Sequence, residues 1–405
     1  MDGRNNLRIA VFHDLPAGGA KRCLFEQCKR LSGRGYILDA FLPDTANEDY
    51  LALDGVVSRK WLYHVPYTFP LIVSGTKGGA ARRWASFHLS IYGRMKSQRK
   101  MAKAMNRGGY DLAFIHHSSF IQAPYILRYL RIPSVYFMQE HFRKIYEPSY
   151  GTDPQQPMTF RQRYYRYVMG RMDAKNVHGA TRVLTNSEFS RESINDSYGI
   201  DAKVCYLGVD TEAFHPLEQA RKQDFVLSVG ALSPHKGFEF IVASLARLPA
   251  AERPRLLIVA ADEGDRGERE ALLRLSGEAG VGLEILTGIS DEHLCLLYNQ
   301  AQVVLLAPHR EPFGFVPLES MACGTPVIGV REGGLKETIE DGVTGRLIDR
   351  EEGLFSQALR ELLDDPSLRT AMGRRGIESV RQKWSWEKST EVLLDHFREI
   401  RCVII

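Results

Sequence analysis

No two of the chain's six cysteines stand as Cys-x-x-Cys, and nowhere in its 405 residues do apolar side chains run unbroken for the ~18 positions that a membrane-spanning helix needs. Cys23, Cys28, Cys205, Cys295, Cys323 and Cys402 therefore offer neither a zinc ribbon nor a disulfide framework, and reduced thiols are expected. The longest early apolar run, Ile9 to Phe12, is too short for the core of a signal peptide, so a cytoplasmic protein is expected. Other signatures are missing too. No Gly-x-x-x-x-Gly-Lys-Ser/Thr occurs, and Ser74-Gly75-Thr76-Lys77-Gly78-Gly79 is not a variant of it. There is no Asp-x-Asp at a strand end, no Gly-x-Ser-x-Gly and no His-Glu-x-x-His, so neither a metal site nor a resident cofactor is expected. What remains is an ordinary globular composition, 44% hydrophobic and 25% charged, which excludes disorder. The length calls for two or three domains.

Acid is absent between Arg59 and Arg107, where eleven Lys and Arg stand without one Asp or Glu. The whole chain carries 53 basic and 49 acidic residues, a net +4; without this stretch it would carry 42 against 49, a net −7. Trp61, Tyr63, Tyr67, Phe69, Trp84, Phe87 and Tyr92 are interleaved with the cations, and residues 160–175 repeat the mixture. Such a field suits an anionic partner: a membrane surface on the cytoplasmic side or an anionic soluble acceptor, set against a face that is only solvated. Nucleic acid is not expected, because no recognition module accompanies the charge.

The chain opens with an apolar strand over 7–13, a loop ending in Gly18-Gly19, and a helical pattern from Ala20 to about Gly33. Short apolar runs at 36–42, 112–115, 134–138, 182–185 and 203–206 continue the alternation. After Phe214-His215-Pro216 the pattern restarts, with strands expected at 225–229, 256–260, 283–286, 303–306, 326–330 and 345–348 and helices between them. Alternating strands and helices imply parallel, doubly wound sheets, an α/β fold. The expected division is a first Rossmann-like domain over 1–215, a second over 216–382, and a last helix over 383–405 that crosses back to the first. Two such halves would face each other across a cleft at the carboxyl ends of their strands.

The densest chemistry lies between Ala307 and Ile348. Glu311 is expected to end a strand, Pro312-Phe313-Gly314 to turn, and a helix to start near Phe315 with its free N–H groups ready for a phosphate. Glu319 follows eight residues after Glu311, and both carboxylates are expected to face one ligand, where they suit sugar hydroxyls. These residues, with Ala322-Cys323-Gly324-Thr325-Pro326-Val327, Gly333-Gly334 and Asp341-Gly342-Val343-Thr344-Gly345, resemble the donor-binding signature of the group 1 (family 4) retaining glycosyltransferases of GT-B fold. Val229 to Gly237, Gly208-Val209-Asp210, Gly18-Gly19 and the strand running from Asp111 to His116 resemble further parts of that family's pattern.

The resemblance implies roles. Glu311 would hold hydroxyls of a donor sugar, Glu319 the ribose hydroxyls, and Lys236 the diphosphate; Gly314 and Phe315 would offer backbone N–H groups. Gly18 and Gly19 would let the backbone approach the phosphates, and His116 would face the donor sugar. His117, on the opposite face of the strand, and Glu140 and His141 at the end of the next strand would line the acceptor side. Catalysis would thus fall to His116, Glu311 and Lys236, with a nucleotide sugar as donor, an acceptor of unknown identity, and closure of the cleft over both. One departure stands out: Ala231 occupies a position where the family usually has an arginine, leaving Arg310, Arg331 or His235 to supply the second phosphate charge. A nucleotide-sugar 2-epimerase of the same architecture and a non-catalytic nucleotide-sugar binder are the alternatives.

Overall fold

The computed structural model describes residues 7–67, 80–147, 150, 157–261, 264 and 266–402. Residues 74–79, the side chains of Arg82 and Arg83, the rim residues Asp262, Glu263 and Asp265, and residues 403–405 lie outside that description. The chain divides into two compact units. Unit 1 takes Met1–Asn186, Arg191–Cys205 and Thr390–Ile405, and unit 2 takes Ser187–Ser190 and Tyr206–Ser389.

Unit 1 is built on a seven-stranded parallel sheet of β1 Arg8–Asp14, β2 Ile37–Pro43, β3 Arg59–Tyr63, β4 Leu112–Ser118, β5 Ser134–Phe137, β6 Arg182–Thr185 and β7 Lys203–Val204. Their order is β3-β2-β1-β4-β5-β6-β7. Interior strand β1 is an unbroken apolar run because helices cover both faces of a parallel sheet: Ile9, Ala10, Val11 and Phe12 are all fully buried. Edge strand β3 carries no such run, since Arg59 and Leu62 are exposed, which is why apolar patterning does not reveal it. It holds its place through Trp61, whose ring lies 4.7 Å from that of Phe41.

Unit 2 has a six-stranded parallel sheet of β8 Phe225–Val229, β9 Arg255–Ala260, β10 Leu283–Thr287, β11 Val304–Leu306, β12 Val327–Val330 and β13 Gly345–Ile348. The order is β10-β9-β8-β11-β12-β13. Both sheets therefore reverse their winding beside their first strand, between β1 and β4 in unit 1 and between β8 and β11 in unit 2. Open α/β sheets bind ligands outside the carboxyl ends of the strands at such a point. The last helix, Trp386–Cys402, belongs to unit 2 as far as Ser389 and to unit 1 from Thr390, where Phe397 meets the ring of Phe114 at 5.4 Å.

Candidate active site

In unit 2 the loops after β8 and β11 meet at the switch point and line an open pocket. Its lining includes Lys236, Phe238, Glu311, Gly314, Phe315 and Val316. Lys236 ends the short 3-10 turn Pro234–Lys236, and its Nζ donates to Glu311 Oε2 at 2.7 Å. Both side chains stay in touch with solvent, at 29% and 22% exposure. Among the described lining residues Lys236 is the one cation.

Glycines make this geometry possible. A Cβ on Gly230 would press on the Lys236 stem at 3.1 Å, and one on Gly237, at φ 66°, would sit 2.0 Å from the Ala307 carbonyl oxygen. Gly333, at φ 57°, lies so close to the Glu311 backbone that a Cβ would come within 2.4 Å of its carbonyl oxygen. That same oxygen accepts the Gly334 N–H at 2.8 Å. Arg350 braces the other side of the loop, donating to the carbonyls of Ala307 and Pro308 at 3.0 and 2.9 Å and to Glu332 at 2.6 Å. Burial alone would raise the Glu332 carboxyl; the Arg350 guanidinium holds it below the usual range.

Helix Phe315–Ala322 starts behind Gly314, whose φ of 88° suits glycine, so Gly314, Phe315 and Val316 present the first turn of the helix to the pocket. One expectation needs correction here. Glu311 does not end a strand: β11 stops at Leu306, and Pro308 and Pro312, which cannot donate to a ladder, carry Glu311 out on a loop. Glu319 is not among the residues that line this pocket. Glu319 lies beyond the first helical turn, is buried, and accepts a hydrogen bond from Tyr298 Oη at 2.8 Å. Of the cations considered as replacements at Ala231, Arg331 is paired with Asp341 at 2.9 Å, and Arg310 lies over the Phe189 ring at 5.4 Å. The His235 carbonyl oxygen accepts the His309 N–H.

In unit 1 the corresponding strand ends bring together Gly18, Gly19, His116 and His117 with residues that sequence patterning does not single out. Gly18 has φ 136°, a conformation that L side chains rarely adopt, and a Cβ there would meet nothing within 4 Å, so the loop's backbone faces open space. Gly19 opens the helix Gly19–Gly33. Two residues on, Lys21 is fully buried; its Nζ lies 3.0 Å from His13 Nε2 and donates to Glu48, whose other oxygen accepts from Lys60 at 3.2 Å. Burial takes the His13 imidazole down to about 4 and lowers Lys21, while hydrogen bonds from His13 and Lys21 hold Glu48 below the carboxylate range against its own burial.

His116 is fully buried, stacked on Phe137 at 5.5 Å. Neither of its ring nitrogens has a hydrogen-bond partner among the described residues. Burial foremost, then the neighbouring His117, His13 and Lys21, push its pKa well below the usual imidazole range. His117, half-buried, follows on β4, whose alternation sends it to the other face. Glu140 offers its carbonyl to Gln122 at 2.9 Å. His141 is buried with Nε2 3.1 Å from Glu147, so its ring meets the same carboxylate that pairs with Arg143.

Two family descriptions match this chain: Glycosyltransferase Family 4 over residues 17–213 and Glycosyl transferases group 1 over residues 209–379. Curated relatives include the D-inositol 3-phosphate glycosyltransferase of Acidothermus cellulolyticus, 32% identical over 255 residues, which cover 58% of this chain and 56% of that protein. The enzyme of the same name from Corynebacterium efficiens is 27% identical over 352 residues, 81% of this chain and 80% of its own. The chain thus spans only about half the length of some of these relatives. Among solved structures, sucrose-phosphate synthase from Thermosynechococcus elongatus superposes with a TM-score of 0.76 at 20% identity, covering 98% of this chain and 100% of the other. Anabaena HepE in complex with UDP-glucose superposes with a TM-score of 0.72 at 18% identity, covering 97% and 100%.

Proposed function

The chain belongs to the group 1 / family 4 glycosyltransferases of GT-B fold, and on that premise we propose that it moves a sugar from a nucleoside-diphosphate sugar to an acceptor hydroxyl with retention at the anomeric carbon. The observation that carries the reading is the open Lys236–Glu311 pair at the start of helix Phe315–Ala322. When the anomeric C–O bond breaks, negative charge grows on the leaving diphosphate. A lysine ammonium and a helix N-terminus stabilise it there, and neither has to be reorganised at that moment. Lys236 exchanges its carboxylate partner for a phosphate, and Glu311 accepts hydrogen bonds from the sugar hydroxyls. The acceptor oxygen bonds the anomeric carbon on the face the diphosphate leaves, and its proton passes to a phosphate oxygen. No metal ion is assigned a part.

Unit 1 is assigned to the acceptor. His116, whose two ring nitrogens have no partner among the described residues, is assigned to the donor sugar, and His117, Glu140 and His141 to the acceptor side; Lys21 and Lys60 are both bonded to Glu48. The curated relatives are named for inositol 3-phosphate; the acceptor of this chain is proposed as a lipid, a saccharide or a small polyol of that kind. The site of action is proposed as the cytoplasm.

Turnover with a panel of UDP-, GDP-, ADP- and dTDP-sugars tests the reading. Lys236→Ala and Glu311→Ala should each lower kcat/KM by about two to three orders of magnitude, the cost of removing one preorganised group from a developing charge. Full activity in both variants would refute the site. A product of unchanged mass would make the protein an epimerase, and donor binding without release of nucleoside diphosphate would make it a binder.

A further inference from the structure

Ser187–Ser190 belongs to unit 2, although the residues on either side of it, up to Asn186 and from Arg191, belong to unit 1. The segment follows β6 and opens the helix Glu188–Tyr198. Two pieces of unit 2 hold it. The first is the carboxylate of Glu337, on the short helix Leu335–Thr338. Its Oε2 accepts the Glu188 N–H at 2.9 Å and the Tyr206 hydroxyl at 2.8 Å, and its Oε1 accepts the Phe189 N–H at 2.9 Å. The second is the loop that carries Glu311. The Ser187 hydroxyl donates to the Pro312 carbonyl oxygen at 2.5 Å, the Ser190 hydroxyl reaches the same oxygen at 3.4 Å, and Ser187 Oγ accepts the Ser190 N–H at 2.9 Å. Both serines are buried, so water does not compete for these bonds.

The backbone of Glu311 is thereby held on both sides. Its own carbonyl oxygen accepts the Gly334 N–H, and the next one, that of Pro312, accepts Ser187. Before it stands Arg310 at φ 51°, a left-handed conformation that is strained for a side chain other than glycine and persists only where the surroundings fix it. The Arg310 guanidinium lies over the half-buried Phe189 ring at 5.4 Å, and its backbone N–H points to Glu332 Oε2 at 3.4 Å. Four residues thus touch both neighbours of Glu311, the strained one through a ring and the following one through a hydroxyl. None of the four is among the residues that line the pocket.

We propose that Ser187, aided by Phe189, is a positioning residue for Glu311: it fixes the loop so that the carboxylate faces the sugar of the donor. The diphosphate end depends on it less. Lys236 comes from the loop after β8, and the helix behind Gly314 is anchored by its own buried residues, Pro317 to Ala322. The effect on turnover rests on the donor reading of the pocket, whereas the effect on the loop rests on geometry alone. Misplacing a substrate-binding group by about 1 Å can cost on the order of a hundredfold in rate, and removing one of two hydroxyl donors should cost about tenfold. If Ser187 only capped its helix, the loss would appear in stability and not at Glu311.

Hydrogen exchange of the ligand-free full chain tests the positioning without any substrate. In Ser187→Ala the peptides spanning 309–316 and 332–336 should exchange at least about tenfold faster, with the β8 peptide unchanged. Phe189→Leu, which keeps the hydroxyl, should act in the same direction and less. Thermal melting identifies which variants are folded. With the sugar nucleotide that the protein turns over, Ser187→Ala should lower kcat/KM about tenfold, leave inhibition by the matching nucleoside diphosphate within about twofold, and cause no further loss in a Glu311→Ala background. Unchanged exchange at 309–316 in the folded variants, or the same tenfold loss with and without the Glu311 carboxylate, would overturn the proposal. Faster exchange there in a protein whose turnover ignores Glu311→Ala would support the positioning and refute the donor reading instead.

Discussion

Each unit of this protein places a lysine against a glutamate beyond the carboxyl ends of its central strands, and the two pairs are built for opposite purposes. In unit 1 Lys21 has no exposed side-chain surface and Glu48 only 17%, and His13 and Lys60 fill the remaining hydrogen-bonding positions. In unit 2 Lys236 and Glu311 are 29% and 22% exposed and line an open pocket. Within the interior a matched pair is expensive to break, because removing one partner strands the other without water. At a solvent-accessible pair the attraction is screened and worth about 1 kcal/mol or less, so a ligand phosphate can replace the carboxylate at small cost. Accessibility, rather than residue type, distinguishes the frame from the working site.

The largest effect should come from breaking the frame. Lys21→Met leaves the mostly buried Glu48 with Lys60 as its remaining cation and should cost about 3 kcal/mol of stability by chemical denaturation. Adding Glu48→Gln should return part of that loss, which a simple packing defect at Lys21 would not. A smaller effect is expected from Gly333→Ala, whose new methyl must push the Glu311 backbone aside from a left-handed conformation; about 1–3 kcal/mol of stability should go, together with donor affinity. Loss of stability with donor affinity intact would mean that Gly333 does not position Glu311. The last effect is read as a slope, small for each pH unit. Burial raises the Asp173 carboxyl to about 7, despite hydrogen bonds from Ala123 and Tyr198, so in the native state it keeps a proton that the unfolded chain has already released. Stability should therefore be full below about pH 4, fall by at most about 1.4 kcal/mol per pH unit up to about pH 7, and level off above. Asp173→Asn should flatten that slope in urea melts taken across the same range.

Much of this was readable in the sequence, for reasons that can be stated. The apolar runs of β1, β8 and β9 announce buried parallel strands, and the residues from Glu311 to Gly345 carry local chemistry dense enough to mark the site. Glu319 illustrates the limit: spacing along the chain places it on the right helix and places Tyr298 on an earlier one, but only the packing of the two helices shows that the carboxylate meets the Tyr298 hydroxyl. His13, Lys21 and Glu48 were silent for the same reason, since each is an unremarkable residue until β1, the helix after Gly18 and the loop after β2 converge. Strand β3 hid within a basic stretch because an edge strand needs no apolar alternation. In that stretch charge was legible as a count, but only the fold shows that Asp173, the acid of the helix Phe160–Val177, is turned inward.

The central claim is that the Lys236–Glu311 pocket receives the diphosphate of a sugar nucleotide. Calorimetric titration of the wild-type protein, Lys236→Ala and Lys21→Met with UDP, GDP, ADP and dTDP tests it most directly. The account predicts that one of these nucleotides binds the wild type, that Lys236→Ala binds it about a hundredfold more weakly through loss of a charge-assisted contact, and that Lys21→Met, where folded, binds it unchanged. Equal affinity of the wild type and Lys236→Ala for that nucleotide would contradict it.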